Sequence, residues 1–353
     1  MNDVLSPPPF ILPYHGIRPV MPDLRHAGER SAVIGRVTLG PRASIGALAL
    51  LRADGHVVEI GADFFIGDRG TVHIAHELYP AIVGDRVTVG RNGVVHACTV
   101  GDDCVIEEDA VILDGSVVES GVIVEAGSVA FPRSKLEANM VYAGIPAKPV
   151  RPVEPGEIAR RAARLRAVPD EVLAPARAPA RLDIDPTTFI AATSTVAGTF
   201  RAGAHSSVLF SCELDAGDSE IVLGANSNIQ DNTIIRCVNG PFVMAADAVI
   251  GHNVVLENCT IGTGVLVGMG SHVAAGTVFE PDVLLAAGAR TEPGQVLESG
   301  WLWGGTPARK ISPMDDRKRA MIPWIIGTYC EYTADFLASQ TALRAAVAVK
   351  QDA

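Results

Sequence analysis

Aliphatic side chains recur at every sixth position over long stretches of this sequence. In the first half they fall at Val83, Val89 and Val95, and the rhythm resumes after one five-residue step at Val100. A period of six fits neither a helix, which repeats every 3.6 residues, nor an ordinary strand, which repeats every two. It predicts a parallel β-helix, in which three six-residue segments make one triangular coil of about eighteen residues and the coils stack about 4.8 Å apart. The recurring aliphatic residues then form the interior.

The sequence contains this pattern twice. Residues 83–148 match the second half of the chain at a constant offset of 161, which aligns Cys98 with Cys259. Upstream, Ile66 and Ile229 differ by 163, so the loop between these regions is two residues shorter in the second half than in the first. We therefore predict an all-β solenoid made of two tandem β-helix domains.

Two segments break the six-residue rhythm. Residues 154–167 predict an amphipathic helix, whose arginines we expect on a solvated face. Residues 313–349 predict a second helical region that Pro323 is able to start, with an apolar stripe that covers a prism face or a subunit contact. The predicted segments are an N-terminal β-helix (1–150), a linker helix with a Pro/Ala-rich linker (151–182), a C-terminal β-helix (183–311) and a C-terminal helical extension (312–353).

Composition narrows the possible partners and compartments. The 40 acidic and 29 basic side chains give a net charge of -11, which argues against nucleic-acid binding through a basic surface. The sequence contains no run of eighteen uncharged apolar residues, so we expect no membrane span. The N-terminus lacks a basic region followed by a long apolar run, so we expect no signal peptide and a cytoplasmic protein. The six cysteines contain no CxxC pair and are expected to be reduced core thiols.

Several motifs within this pattern resemble those of a known superfamily. They are AGIPAKPVR (143–151), GGTPARKI (304–311), IVGDRVTVGRNGVVHACTVGDDC (82–104) and VIGHNVVLENCTIGTGVLVGMG (249–270). With the hexapeptide rhythm, they resemble the left-handed β-helix superfamily, and within it the γ-class carbonic anhydrase-like proteins. The resemblance covers about residues 31–150 and 190–311, and it implies that both predicted solenoids are left-handed.

The resemblance also implies where metal ligands belong. In that family a Gly-His, a second histidine five residues later and a third from the preceding coil bind the metal. The corresponding positions read His73, Arg91 and His96 in the first half, and Arg236, His252 and Glu257 in the second half. Because an arginine has no lone pair to give a metal, neither half carries a complete set.

The two incomplete sets are complementary. The first half keeps the pair His73 and His96, and the second half keeps the Gly-His ligand His252. Since the family's site lies between neighbouring prisms, the resemblance implies one site shared between the two halves, holding zinc or else iron or cobalt. Three neutral histidines leave a position for water, whose pKa the metal lowers towards about 7, so that hydroxide can attack carbon dioxide, an ester or a thioester carbon.

Other positions of the family are also divided between the halves. The Arg-Gly-Asp of the family is matched only in the first half, and its Asn-Ile-Gln-Asp stretch is complete only in the second. The expected catalytic residues are therefore Arg52, Asp54, Asp68, Asn228 and Gln230, with Asp231 at the position equivalent to Asp68.

Three hypotheses about function follow from the sequence. The leading one is a γ-carbonic anhydrase-like metalloenzyme that acts on a small molecule. The second is a coenzyme-A-dependent acyltransferase of the same fold, in which His73 or His96 is the general base. The third is a non-catalytic assembly subunit, in which Arg91, Arg236 and Glu257 replaced ligands because no metal is held. Because members of the superfamily usually form threefold rings, we expect a homo-oligomer.

Overall fold

Short parallel strands stacked into coils make up most of the regular structure. The computed structural model describes residues 9–351. The chain divides into two compact units, the first ending at Leu173 and the second beginning at Ala174. Each unit is a β-solenoid, so the predicted fold is confirmed. Residues 1–8, part of the segment in which we expect no signal peptide, and residues 352–353 lie outside the described range.

The first solenoid contains an 11-stranded sheet and an 8-stranded sheet. Nearly all strands pair in parallel with the equivalent strand of the next coil, and in the larger sheet β5, β7 and β10 are neighbours. The strands are β1 (Phe10–Leu12), β2 (Leu24–Ala27), β3 (Ala32–Leu39), β4 (Ala43–Ile45), β5 (Leu50–Ile60), β6 (Phe65–Ile66), β7 (Thr71–His73), β8 (Ala81–Val83), β9 (Thr88–Val89), β10 (Val94–His96), β11 (Thr99–Val100), β12 (Val105–Ile106), β13 (Val111–Ile112), β14 (Val117–Val118), β15 (Ile123–Val124), β16 (Val129–Ala130), β17 (Lys135–Leu136), β18 (Met140–Ala143) and β19 (Lys148–Pro152).

The second solenoid repeats this organisation with a 10-stranded sheet and an 8-stranded sheet. The neighbours β24, β26 and β29 take the places of β5, β7 and β10. The strands are β20 (Ala180–Ile184), β21 (Phe189–Ile190), β22 (Thr195–Ala202), β23 (Ser207–Val208), β24 (Glu213–Leu223), β25 (Asn228–Ile229), β26 (Ile234–Arg236), β27 (Phe242–Met244), β28 (Val249–Ile250), β29 (Val255–Glu257), β30 (Thr260–Ile261), β31 (Leu266–Val267), β32 (His272–Val273), β33 (Val278–Phe279), β34 (Leu284–Leu285), β35 (Val296–Leu297), β36 (Trp301–Gly304) and β37 (Arg309–Pro313).

The six-residue rhythm places aliphatic side chains in columns inside each solenoid. Ile66, Val89 and Ile106 pair in register from one coil to the next, and all three are fully buried. Ile229 and Ile250 form the equivalent pair in the second solenoid and are fully buried as well. The core of each unit is therefore a stack of thin aliphatic layers, held together by burial of apolar surface.

All six cysteines are free thiols, as the sequence predicts. Five are buried, and burial raises the pKa of these thiols, to about 11 for Cys104 and Cys237. Cys330 is partly exposed and lies outside the solenoid interior. The buried cysteines therefore act as small apolar residues of the core.

Helix α1 (Glu157–Arg166) lies within the predicted segment 154–167 and packs on the first solenoid. Its residues Ile158 and Leu165 contact the outward-facing Val105 and Ile123. The apolar side of this helix is therefore the side that the sequence predicts.

The arginines of α1 form the expected solvated face only in part. Arg160 and Arg164 are exposed, although Arg164 lies 2.9 Å from both Glu107 and Glu108. Arg161 is largely covered and lies 3.1 Å from Glu107 and 3.2 Å from Glu125. Glu107 and Glu125 occupy equivalent turns of successive coils, so acidic groups line up beside this arginine.

Helix α2 (Asp316–Gln351) begins seven residues before Pro323. The carboxylate of Asp315 accepts a hydrogen bond from the backbone N–H of Lys318 at 2.9 Å, which satisfies one free donor of the first turn. This cap starts the helix, and Pro323 lies inside it. Across the residues that the structure describes, neither helix combines the length and the apolarity needed to cross a membrane.

Helix α2 packs on the second solenoid along much of its length. Ile326 contacts Val249 in an apolar cluster on the outer face of the coils. Further along the helix, the Phe336 ring centroid lies 5.8 Å from that of Phe189 and 5.2 Å from that of Phe210. These contacts fix the helix over the turns that carry Asn228 to His252.

Candidate metal centre

His73 and His96 lie side by side on neighbouring strands of the first solenoid. Each is the last residue of its strand, and the two residues pair in register. The ring centroids are 5.3 Å apart, and the side chains are buried, with exposed fractions of 2% and 5% for the residues. Because residues in register on parallel strands project from the same face, the solenoid itself positions this pair.

Arg52 holds both ring nitrogens of His73. The Nδ1 of His73 donates a hydrogen bond to the backbone carbonyl of Arg52 at 2.9 Å, and Nε2 accepts one from the guanidinium at 2.8 Å. Asp54 forms an ion pair with Arg52, and both of these residues are fully buried. The carbonyl contact assigns the ring proton to Nδ1, so the lone pair of His73 lies on Nε2.

Asp114 plays the corresponding part for His96. Its Oδ1 lies 2.6 Å from Nδ1 of His96, and it follows that histidine by one coil of eighteen residues. A carboxylate at this distance favours the proton on Nδ1 and the lone pair on Nε2.

His252 is fully buried in the second solenoid. Its Nδ1 lies 3.1 Å from Oδ2 of Asp231, although off the direction of a hydrogen bond, so this contact is electrostatic. The other carboxylate oxygen of Asp231 accepts a hydrogen bond from the backbone N–H of Phe210 at 2.9 Å, which fixes the carboxylate. On the opposite side of the ring, the hydroxyl of Tyr329 lies 3.3 Å from Nε2.

His73 and His96 are buried in the first unit, and His252 is buried in the second. The Nδ1 of each lies against an oxygen atom, which favours the lone pair on Nε2, as in metal-binding imidazoles oriented by oxygen acceptors. Nε2 of His73 accepts from Arg52 in this structure, so that guanidinium has to move aside for a metal to bind there. Three such imidazoles are the donor set of a divalent metal of the zinc type.

The first solenoid uses the position equivalent to His252 in another way. Arg91 stands there, and its guanidinium lies 2.8 Å from Oδ2 of Asp68 and also donates to the carbonyl of Pro169. The same carboxylate oxygen accepts a hydrogen bond from the backbone N–H of Glu171 at 2.8 Å. Asp68, expected from the sequence to be catalytic, therefore holds Arg91 and the segment after α1.

Asn228 and Gln230 are buried in the coil that precedes His252. Their exposed fractions are 2% and 4%, and the side-chain amide of Gln230 lies 3.4 Å from the amide oxygen of Asn228. Both lie within three residues of Asp231, which contacts His252. The second solenoid thus places two buried amides beside Asp231, in the coil before its buried histidine.

Three contacts to the histidines were not assigned from the sequence, namely those of Asp114, Asp231 and Tyr329. The signal for Asp114 was present, because a residue eighteen positions after His96 falls one coil away. Asp231 was noted only as the equivalent of Asp68. The contact of Tyr329 with His252 was not predictable from the sequence, because the coil period does not determine where α2 docks.

Comparison with known proteins decides the family. No protein-family model matches the chain. Gamma carbonic anhydrase 1, mitochondrial, of Arabidopsis thaliana is 31% identical over 146 residues, which cover 39% of this chain and 53% of that protein. Protein YrdA of Escherichia coli is 34% identical over 130 residues, which cover 34% of this chain and 71% of YrdA. The chain belongs to the γ-carbonic anhydrase-like proteins of the left-handed β-helix superfamily.

This γ-carbonic anhydrase-like chain spans about half the length of the plant relatives that it matches. Among solved structures, a hexapeptide transferase family protein from Anaplasma phagocytophilum is 31% identical and covers 43% of this chain and 90% of its own, with a TM-score of 0.42. These two relatives and this structure each match less than half of this chain, which contains two solenoids.

Proposed function

We propose that this γ-carbonic anhydrase-like protein is a metalloenzyme that hydrates or hydrolyses a small molecule, with His73, His96 and His252 as the metal ligands. The observation that carries this proposal is the buried, in-register pair of His73 and His96 in the first unit, together with the buried His252 of the second, each with Nδ1 against an oxygen atom. Relatives named as γ-carbonic anhydrases support a metal cofactor. Zinc is the proposed metal, and iron and cobalt are the alternatives.

The chemistry of such a site depends on the metal and on the residues around it. A divalent ion bound by three imidazoles lowers the pKa of a coordinated water towards neutrality. The chain contributes Arg52, a fully buried cation beside His73, which we propose stabilises the negative charge that develops on a substrate oxygen. Asp54 forms an ion pair with that guanidinium and holds it beside His73.

The two buried amides give the substrate an orientation. We propose that Asn228 and Gln230 donate hydrogen bonds to oxygen atoms of the substrate, since amide N–H groups are neutral donors that do not compete for the metal. Carbon dioxide, an ester and a thioester all present an electrophilic carbon with an adjacent oxygen. These are therefore the proposed substrate classes.

Metal stoichiometry tests the ligand set. Wild-type protein purified with zinc present is expected to hold one ion per chain, and His252→Ala is expected to lose it, because a three-ligand site reduced to two rarely retains zinc. His205→Ala is the matched control, since His205 is an exposed histidine of the same solenoid. Inductively coupled plasma mass spectrometry provides the measurement. A metal-free wild type, or a His252→Ala variant that holds as much metal as wild type, contradicts the proposal.

A second test separates the vacated ligand positions from the proposed site. Arg91→His and Glu257→His should leave the metal content unchanged, because neither position belongs to the proposed ligand set. A higher metal content in either variant would mean that a further site has been completed there. Carbon dioxide hydration and ester hydrolysis, measured on the zinc-loaded wild type, then identify the reaction.

The other hypotheses make different predictions. A coenzyme-A-dependent acyltransferase predicts saturable binding of coenzyme A to the folded protein. A non-catalytic subunit predicts that no metal is retained. The cytoplasmic location and the homo-oligomeric state stay predictions from the sequence.

A further inference from the structure

A cavity of about 670 Å³ opens on the second solenoid, and none of the three histidines lines it. Its size lies in the range that holds a small ligand. The lining residues that bear on its chemistry are Arg177, Asp215, Asp218, Arg236, Cys237 and Asn239. All belong to one unit, so the cavity is a feature of the second solenoid alone.

At the cavity the second solenoid lacks a large side chain that the first one has. Asp215 stands at the register position of Arg52, just as Arg236 stands at that of His73. In the first solenoid the long side chain of Arg52 is fully buried against His73. The aspartate at the equivalent position is shorter and lines the cavity.

A glycine shapes the adjacent wall. Gly217, at the position of Asp54, has a φ of +54°, and a Cβ placed on it would lie 2.8 Å from the carbonyl oxygen of Cys237. Glycine is therefore the residue that this close approach and this backbone conformation permit. The wall contains no side chain where the first solenoid has a carboxylate.

Two opposite charges on the cavity wall lack a partner. Among the side chains that the structure describes, those of residues 9–343, neither Arg236 nor Asp218 has a hydrogen-bond or ion-pair partner, and the two do not pair with each other. Glu257 is next to Arg236 in the strand ladder, but its carboxylate accepts a hydrogen bond from the backbone N–H of Ala275 at 3.2 Å. The guanidinium of Arg236 thus remains available to a ligand.

The other two charged groups of the wall neutralise each other. Arg177 lies 3.4 Å from Oδ2 of Asp215, and Oδ1 of Asp215 accepts the backbone N–H of Gly217 at 2.9 Å. Cys237 adds no charge, because burial raises the pKa of its thiol to about 11. What remains is one unpaired cation and one unpaired anion facing the same space.

We propose that this cavity binds a small zwitterion, whose carboxylate pairs with Arg236 and whose ammonium group pairs with Asp218. A simple anion would be repelled by the carboxylate of Asp218, and a simple cation would be repelled by the guanidinium of Arg236. A ligand that carries both charges satisfies both side chains, each by a charge-assisted hydrogen bond. This inference does not depend on the proposed metal site.

Isothermal titration calorimetry of the full chain tests the class of ligand. The probes are glycine, β-alanine, 4-aminobutyrate and 6-aminohexanoate, whose charges lie progressively farther apart. We expect one of them to bind saturably, and to bind at least about tenfold more tightly than the carboxylate and the amine of equal length, because each analogue lacks one charge-assisted hydrogen bond. Equally tight binding of the plain carboxylate would overturn the proposal, as would no binding of any zwitterion in the millimolar range.

Variants then test the two side chains. Arg236 and Asp218 are both exposed, so Arg236→Gln and Asp218→Asn should leave the fold intact. Each substitution should weaken binding of that zwitterion by about tenfold or more. Arg290→Gln is the matched control, since Arg290 is an exposed arginine of the same solenoid outside the cavity. Wild-type affinity in Arg236→Gln or in Asp218→Asn would overturn the proposal.

Discussion

The carboxylate of Asp114 lies 2.6 Å from Nδ1 of His96, one coil further along the first solenoid. This contact fixes the ring and directs its lone pair through Nε2. A carboxylate in this position also makes the imidazole a stronger donor, and partners of this kind change metal affinity when they are removed.

We predict that Asp114→Asn weakens zinc binding by about tenfold to a hundredfold, because the amide keeps the shape of the side chain and loses its charge. Competition with a chromophoric chelator measures the affinity. Asp109→Asn is the control, since Asp109 bonds to Asn92 on the surface. Equal zinc affinity in Asp114→Asn and wild type would mean that this carboxylate does not support a metal ligand.

Tyr329 is predicted to compete with the metal for His252. Its hydroxyl lies 3.3 Å from Nε2, the atom that carries the lone pair, so this contact stabilises only the metal-free protein. In Tyr329→Phe the metal-free form should lose about 1 kcal/mol of stability, and metal affinity should rise by up to about fivefold. Thermal melts with and without zinc measure both effects. An equal loss of stability in the two forms would contradict the prediction, and Tyr79→Phe, an exposed tyrosine, is the control.

Glu157 is predicted to stabilise the docking of α1 in a pH-dependent way. Hydrogen bonds from Arg151, the backbone N–H of Glu154 and Arg161 hold the pKa of this carboxyl well below its ordinary value of 4.5. A group whose pKa is lowered by folding contributes stability above its unfolded pKa and loses it as the pH falls towards the folded value. The difference in melting temperature between wild type and Glu157→Gln should therefore be constant near neutral pH and shrink below pH 4.5.

The matched control for that measurement is Glu154→Gln. Its side chain is 66% exposed and forms only a distant ion pair, so its effect should be small at every pH. A Glu157→Gln difference that stayed constant down to strongly acidic pH would show that the carboxylate charge does not hold α1.

The interior columns are predicted to supply most of the stability of each unit. Ile106 is fully buried between Val89 and Val124, so Ile106→Ala should cost about 2–5 kcal/mol through lost burial and the cavity it leaves. Val117 is 43% exposed on the outside of the same solenoid, and Val117→Ala should stay within about 0.5 kcal/mol. Urea denaturation of both variants checks the contrast.

Acetyl-coenzyme A is predicted to leave the melting temperature unchanged. A ligand that binds only the folded protein raises that temperature by mass action, so a coenzyme-A-dependent enzyme would show a saturable shift. Such a shift, in zinc-loaded or zinc-free protein, would favour acyl transfer over hydration or hydrolysis.

The interior of the solenoids was predictable because the pattern is local and repeated. Each turn returns the chain to the same corner of the coil, so a residue such as Val89 is directed inward by the same geometry as Ile106 seventeen residues later. The pairing of His73 with His96 does not follow from that period, because eighteen residues after His73 is residue 91; the coil between the two histidines is five residues longer, and this loop brings His96 into register. Family resemblance supplied the chemistry, which periodicity does not encode.

The helices were harder to place because they do not repeat. Their segments were predicted, but the start of α2 depends on the side-chain cap of Asp315, which outweighs the preference of Pro323 for a first turn. The partners of Arg161 and the contact of Tyr329 depend on how each helix docks on its solenoid. Tertiary packing decides these contacts, and a single sequence carries little information about it.

The contact between Arg91 and Pro169 has a consequence for where the first solenoid can be cut from the rest of the chain. Pro169 follows α1 but lies inside the first compact unit, which ends at Leu173. A fragment that stops at the end of α1 would lose both the carbonyl that accepts from Arg91 and the backbone N–H of Glu171 that donates to Asp68. The first solenoid, expressed on its own, should therefore extend to Leu173.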